Sequence, residues 1–282
     1  MRSGKSLATQ VLHAGPAPSA QLQYTAMLAK MSQVGLFQKD RSARTKVCEL
    51  LSSVAALRAG RVHPLAILVA RNTYAKGSGV KGKLNWKPEN TILDALEQAF
   101  HLAFQTIEPT GKRHLLAIDV SGSMSWTEIA GMTGITPRIG AAAMALVTRS
   151  VEKDTRIFAF SDGLREVPIS GGRSLDGMMN ALAKIPMGGT DCALPMLHAM
   201  EHRIPVDVFV VYTDSETWYG SVHPAEALRQ YRRVMGIPAR LIVVGMVANG
   251  FTIADPDDPG MLDVVGFDTS APALMADFVR NA

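Results

Sequence analysis

The chain has 282 residues, of which 47% are apolar, enough for a sizeable core in one or two domains. Its two cysteines, Cys48 and Cys192, exclude a disulfide framework and a cysteine-rich zinc site, and read as small buried residues. The net charge of +4 hides an asymmetry: residues 1–111 carry fourteen Lys and Arg against six Asp and Glu, and the remainder fifteen against nineteen. A basic first part suggests either a polyanion contact or a solvated basic surface, and an acidic second part leaves room for a cation site.

Helices come first. Residues 20–34 and 44–57 space their apolar residues three and four apart. Residues 91–107 are clearer: Ile92, Ala95, Leu96, Ala99, Phe100, Ala103 and Phe104 form one stripe, Asn90 or Thr91 can cap its start, and Pro109 with Gly111 ends it. A basic loop, residues 76–88, precedes that helix. Two or three helix pairs are too few to fix a repeat period.

After Gly111 short apolar strands alternate with helices. Strands are expected at 114–120, 156–161, 206–214, 239–247 and 262–265; helices at 137–153, 174–185, 224–235 and 271–280, with a packing helix after Thr190. Near-continuous apolar strands between helices predict an α/β fold: a doubly wound, mostly parallel, Rossmann-like sheet covered on both faces. Such a sheet binds its ligand at the carboxyl ends of its strands, where the strand order reverses.

Three polar loops should meet at that edge. Asp119, Ser121 and Ser123 leave the first strand as Asp-x-Ser-x-Ser, Thr190 and Asp191 precede a helix, and Asp214 ends the strand at 206–214. Carboxylates and hydroxyls are hard oxygen donors, a set that suits Mg²⁺ or another hard divalent cation. An aspartyl-phosphate enzyme would want Asp-x-Asp here, and a serine nucleophile elbow would want Gly-x-Ser-x-Gly; neither fits.

Other motifs are weaker. Gly77, Gly79 and Gly82 match Gly-x-Gly-x-x-Gly, but no strand precedes them, which argues against a dinucleotide site. Lys76, Lys81, Lys83 and Lys87 are candidate RNA contacts, with Trp86 either stacking a base beside them or lying in the core. His198, Glu201 and His202 match an inverted zincin pattern, but their helix is explained by packing through Ala193, Leu194, Leu197 and Met200. The charges around Tyr231, Arg229 included, read as a solvated helix face. Asp255, Asp257 and Asp258 read as turn and capping residues.

Asp119, Ser121, Ser123, Thr190 and Asp214 together resemble the metal-ion-dependent adhesion site of von Willebrand factor A domains. That resemblance implies direct coordination by Ser121, Ser123 and Thr190, with Asp119 and Asp214 acting directly or through water. The likeness continues through "RVHPLAILVARNTYAKGSGVKGKLNW" (61–86), "EPTGKRHLLAIDVSGSM" (108–124), "GGTDCALPM" (188–196), "VDVFVVYTDSETW" (206–218), "VHPAEALRQYR" (222–232) and "NGFTIADPDDPGMLDVVGFDT" (249–269). These resemble the Ro ribonucleoprotein family, whose TROVE module is a ring of HEAT-like helical repeats closed by an A domain.

The resemblance implies a partial HEAT-like helical region over 1–111 and an A domain over 112–282. It also implies a non-enzymatic RNA-binding protein that takes small non-coding Y RNAs on a basic outer surface and single-stranded RNA ends through the ring, often beside an exonuclease. The helical part is shorter than a whole ring, so the chain is expected to be part of a longer one or to need a partner to complete the surface. If it binds no RNA, the alternative is a protein-interaction module whose metal takes a partner's carboxylate. No run of about 20 apolar residues and no signal-peptide pattern is present, so a soluble, cytoplasmic protein is expected.

Overall fold

The computed structural model describes residues 19–79, 84–130, 132–168, 174–214, 220–247, 253–266 and 271–280. They fall into two compact units, one up to Glu108 and one from Pro109 onward, with residues up to Gly134 from the short loop after Ala130 grouping with the first.

The first unit is helical: α1 Ser19–Gln33, α2 Leu36–Lys39, α3 Arg41–Leu51, α4 Val54–Ala59, α5 Pro64–Lys76 and α6 Asn90–Leu102, followed by a 3-10 turn, Ala103–Thr106. The helix expected over 44–57 is interrupted. Ser53 takes extended backbone and its hydroxyl accepts from the Ala56 amide, so a new helix starts where one was expected to continue. Helix α5 lies beyond the helices expected from periodicity. Pro64 opens it, the His63 ring accepts from the Leu65 amide, and Gly77 closes it at φ 73°, where a side chain would also strike the Trp86 carbonyl.

Tyr74 organises this unit's interior. Its hydroxyl lies 2.6 Å from Ser32 Oγ and accepts from the Glu89 amide at 3.1 Å, while its carbonyl accepts from Trp86 Nε1 at 2.9 Å. The Trp86 ring is buried and stacks on Tyr74, centroids 6.1 Å apart. Trp86 is therefore a core residue and not a platform for a base.

The second unit is an α/β sandwich. Its strands are β1 His114–Asp119, β2 Thr155–Phe160, β3 Leu164–Glu166, β4 Val208–Thr213, β5 Arg240–Gly245 and β6 Met261–Val265, in the order β3-β2-β1-β4-β5-β6. All pairs are parallel except β2 with β3. Alternation splits each central strand between two buried faces. Leu115, Ala117, Phe158, Phe160, Phe209, Val211, Leu241 and Val243 pack with Met196 and Ala199 of α9 (Leu194–Glu201) and Leu228 and Tyr231 of α10 (Pro224–Met235). Leu116, Ile118, Ile157, Val210 and Ile242 are equally buried on the opposite face, where α7 (Pro137–Val151) lies against β1 and β2. Helices α8, Leu175–Leu182, and α11, Ala271–Arg280, complete the unit. Side chains buried on both faces explain why these strands read as continuous apolar runs.

The strand order reverses beside β1, which pairs with β2 on one side and β4 on the other. At the amino edge of this junction Arg113 grips Asp207 through Nε–Oδ2 at 2.9 Å and Nη2–Oδ1 at 2.6 Å, a fork that draws the Asp207 carboxyl below its usual range. The opposite, carboxyl edge is where the doubly wound topology places a binding crevice.

The charges around Tyr231 differ from the expected solvated face. Arg232 pairs with Asp258 at 2.6 Å and donates to the Ala239 carbonyl, and Arg229 pairs with Asp255. Asp255 and Asp258 also accept amides within their own loop, so they serve both the turn and α10. The sequence shows each charge run alone; only the fold brings the two together.

Candidate metal centre

Asp119 is the last residue of β1 and is fully buried. Its two carboxylate oxygens are held differently. Oδ1 accepts from the Ser121 amide at 2.7 Å, an Asx-type turn that swings the chain out of the sheet. Oδ2 accepts from the Thr213 hydroxyl at 2.8 Å, across from the end of β4. The turn leads into a 3-10 segment, Ser123–Ser125, which returns Ser123 toward Ser121 and leaves their hydroxyl oxygens 3.1 Å apart.

Asp214 follows Thr213 directly, is 4% exposed, and lies close enough to Asp119 for their charges to interact. The loop carrying Thr190 is tied to the same edge. The Asp191 amide donates to the Ser161 carbonyl just past β2, and Thr190 is buried. Asp191 itself accepts from the Ala193 amide at the start of α9. All five residues singled out from the sequence thus reach the carboxyl edge of β2, β1 and β4.

Burial pushes the Asp119 carboxyl above the usual carboxylate range; the hydrogen bonds from Ser121 and Thr213 oppose this, and the charge of Asp214 adds to it. Two buried carboxylates side by side are an electrostatic cost that a cation between them would offset. Among the described residues no group of three or more His, Cys, Asp and Glu side chains is placed to hold a metal. A cation here would therefore rely on the hydroxyls of Ser121, Ser123 and Thr190, a donor chemistry that suits hard ions.

Two residues of the site escaped the sequence reading. Arg138, in the first turn of α7, donates through Nη2 to the Val120 carbonyl at 2.7 Å and the Ser121 carbonyl at 3.1 Å. It clamps the turn between the two candidate ligands, and nothing in its local sequence marks it. Thr213 reads as strand core, and only the register of β4 against β1 turns its hydroxyl to Asp119.

The remaining candidates lie elsewhere. Lys76 and Lys87 are exposed on the helical unit; Lys81 and Lys83 lie outside the described residues. The His198 and His202 rings are 4.1 Å apart at the end of α9, His198 against Phe158 and His202 Nδ1 at 3.0 Å from the His198 carbonyl. This is helix packing and termination. Cys192 is buried and Cys48 half-buried, and both are free thiols.

A mostly parallel six-stranded sheet with one short antiparallel edge strand, and an Asp-x-Ser-x-Ser turn at the carboxyl end of its central β1, defines a von Willebrand factor A-type domain. Residues 113–279 match the family model described as the Ro60 vWA domain, and the chain belongs to that Ro60 family. It is 48% identical over 255 residues to RNA-binding protein RO60 of Deinococcus radiodurans, covering 90% of this chain and 48% of that one. To RNA-binding protein RO60 of Caenorhabditis elegans it is 42% identical, covering 90% and 39% respectively. The crystal structure of the D. radiodurans Ro (RSR) protein superposes with a TM-score of 0.86 at 46% identity, over 91% of this chain and 52% of that one. The chain therefore spans about half the length of the relatives it matches, or less. No helix among the described residues is long and apolar enough to cross a membrane.

Proposed function

We propose that this chain is a non-enzymatic, RNA-binding component of a ribonucleoprotein, and that its A-type domain presents a Mg²⁺ ion or similar divalent cation to an oxygen ligand. The observation that carries the metal reading is the convergence of Asp119, Ser121, Ser123, Thr190 and Asp214 on one edge of the sheet. Ser121, Ser123 and Thr190 would hold the ion through their hydroxyls, with Asp119 and Asp214 compensating its charge directly or through water. A cation held largely by neutral oxygens keeps its electrophilicity and accepts a further oxygen from a phosphate or carboxylate.

RNA as the partner is supported by the names of the two relatives and by the basic balance of residues 1–111. Small non-coding RNA of the Y type, single-stranded RNA ends and an associated exonuclease belong to the same reading, with the exposed Lys76 and Lys87 as phosphate contacts. The test is fluorescence anisotropy with a structured RNA carrying a single-stranded tail. Binding should exceed that of a charge-matched control protein and weaken steeply with salt, because phosphate contacts release counterions. Affinity no greater than the control's at low salt would refute RNA binding. A protein partner whose capture survives nuclease but is lost with EDTA would then identify a carboxylate-binding module.

A further inference from the structure

Among the described residues, the two most exposed large hydrophobic side chains are Trp126, 80% exposed, and Met187, 66% exposed. Both lie on loops at the carboxyl edge of the sheet. Trp126 ends the 3-10 segment that begins at Ser123, its amide donating to the Ser123 carbonyl at 3.2 Å. Met187 lies in the loop leading to Thr190, where the Pro186 carbonyl accepts from the Ser161 hydroxyl at the end of β2. An exposed indole offers a large apolar face with a polar handle, the kind of surface that proteins use at interfaces.

The Trp126 ring also lies close to the backbone of the turn. Gly122 has ordinary helical backbone, φ −60° and ψ −41°, so its conformation does not call for glycine. A Cβ at residue 122 would nevertheless stand 2.8 Å from Trp126 Cζ2 and 3.3 Å from Cε2, so one edge of the indole lies against this glycine. The ring therefore rests against the backbone between Ser121 and Ser123 while most of its surface faces solvent. An indole has only two side-chain torsions, so little freedom is lost when something stacks on it.

We infer that Trp126 is a stacking platform for a nucleotide base, placed so that a single-stranded RNA segment can lay a base on the indole while an adjacent phosphate reaches the metal-binding edge. A nucleotide joins a hard oxygen anion to a flat π surface, which are the two chemistries this edge sets side by side. The inference rests on the RNA-binding reading above and assigns that site a residue that recognises bases.

The test compares a short fluorescent oligoadenylate with an abasic ribose-phosphate oligomer of equal length, each titrated with the full chain in millimolar Mg²⁺. Both carry the same phosphates, so the difference isolates stacking. The wild-type chain should prefer the oligoadenylate by roughly five- to hundredfold, the range of one base–aromatic stack. Trp126→Ala should abolish that preference while leaving abasic binding unchanged, and Trp126→Phe should retain most of it. A preference that persists in Trp126→Ala, or wild-type binding of the two oligomers with equal affinity while the tailed RNA still binds, overturns the stacking role and leaves the RNA reading standing. Failure of the wild-type chain to bind either oligomer or the tailed RNA above the control overturns both.

Discussion

The two units handle buried polarity in opposite ways. In the helical unit the hydroxyl of Tyr74 serves Ser32 and the Glu89 amide, and its carbonyl serves the Trp86 indole. Each of these interactions ties one helix or loop to another, and the outcome is a fold held in register. In the α/β unit one group of buried polar side chains gathers at the carboxyl edge: Asp119, Ser121, Thr190, Thr213 and Asp214 are all at most 7% exposed, while His114, Glu152 and Thr155 lie buried at the amino edge. At the carboxyl edge the hydrogen bonds position an acid and bring two hydroxyls together; they link strand ends instead of crossing the core. A polar network inside a packed interior specifies structure, whereas the same groups at the mouth of a doubly wound sheet specify a site.

The contrast is open to direct attack. The largest effect should come from Tyr74→Ala, which removes a buried ring and leaves its partners unsatisfied; we expect a loss of about 4 kcal/mol in urea unfolding. Amide exchange should accelerate in α5 and α6 and remain slow in β1 and β4. Equal acceleration throughout would mean that the two units unfold as one. Asp119→Ala should act the other way round: exchange in α5 is unchanged, but the rise in unfolding temperature on adding Mg²⁺, worth roughly 2–3 kcal/mol near saturation, disappears. An undiminished Mg²⁺ response would place any cation elsewhere.

How much of this could be read from the sequence follows the same division. The Asp-x-Ser-x-Ser turn, Thr190 and Asp214 were legible because a doubly wound sheet puts strand ends together by topology alone. Four central strands were legible because burial on both faces writes unbroken apolar runs. Strand β3 was not, since three residues, two of them charged, have no period to detect. Helix α5 was missed because its apolar residues run almost without interruption from Pro64 to Ala70, leaving no polar face to reveal a helical repeat. Arg138 was missed for a third reason. Its role depends on the carbonyls of Val120 and Ser121 arriving next to α7, a tertiary event with no local signature. Trp86 and Trp126 make the point most sharply: one is core and the other bare, and neither flanking sequence says which.

The units should also answer pH differently. Burial lowers the His63 pKa from 6.5 to about 4, and the ring's cap on α5 needs an unprotonated nitrogen. The unfolded chain therefore takes up the proton first. Stability supplied by His63 is complete above 6.5 and is lost as pH falls toward 4, by about 3 kcal/mol. Urea unfolding across that window should show the slope, and His63→Asn, which caps without titrating, should flatten it. In β6 the sign reverses. Burial raises the Asp263 pKa from 3.8 to about 6, so the folded state holds its proton longer and stability falls as pH rises through that interval. Asp263 is half-buried and solvent screens its charge, so the effect is the smallest: Asp263→Asn should stabilise the chain by about 1 kcal/mol at neutral pH and leave it nearly unchanged in acid, checked by the same unfolding series.

The short strand β3 has a consequence for assembly. It occupies the outer position beside β2, runs against the other strands, and turns Arg165 and Glu166 to solvent. An edge this brief and this charged is a poor template for backbone pairing with a neighbouring molecule. Copies of this chain, or a guest peptide, will not extend the sheet from that side by adding a strand. Association there must proceed through side chains and loops.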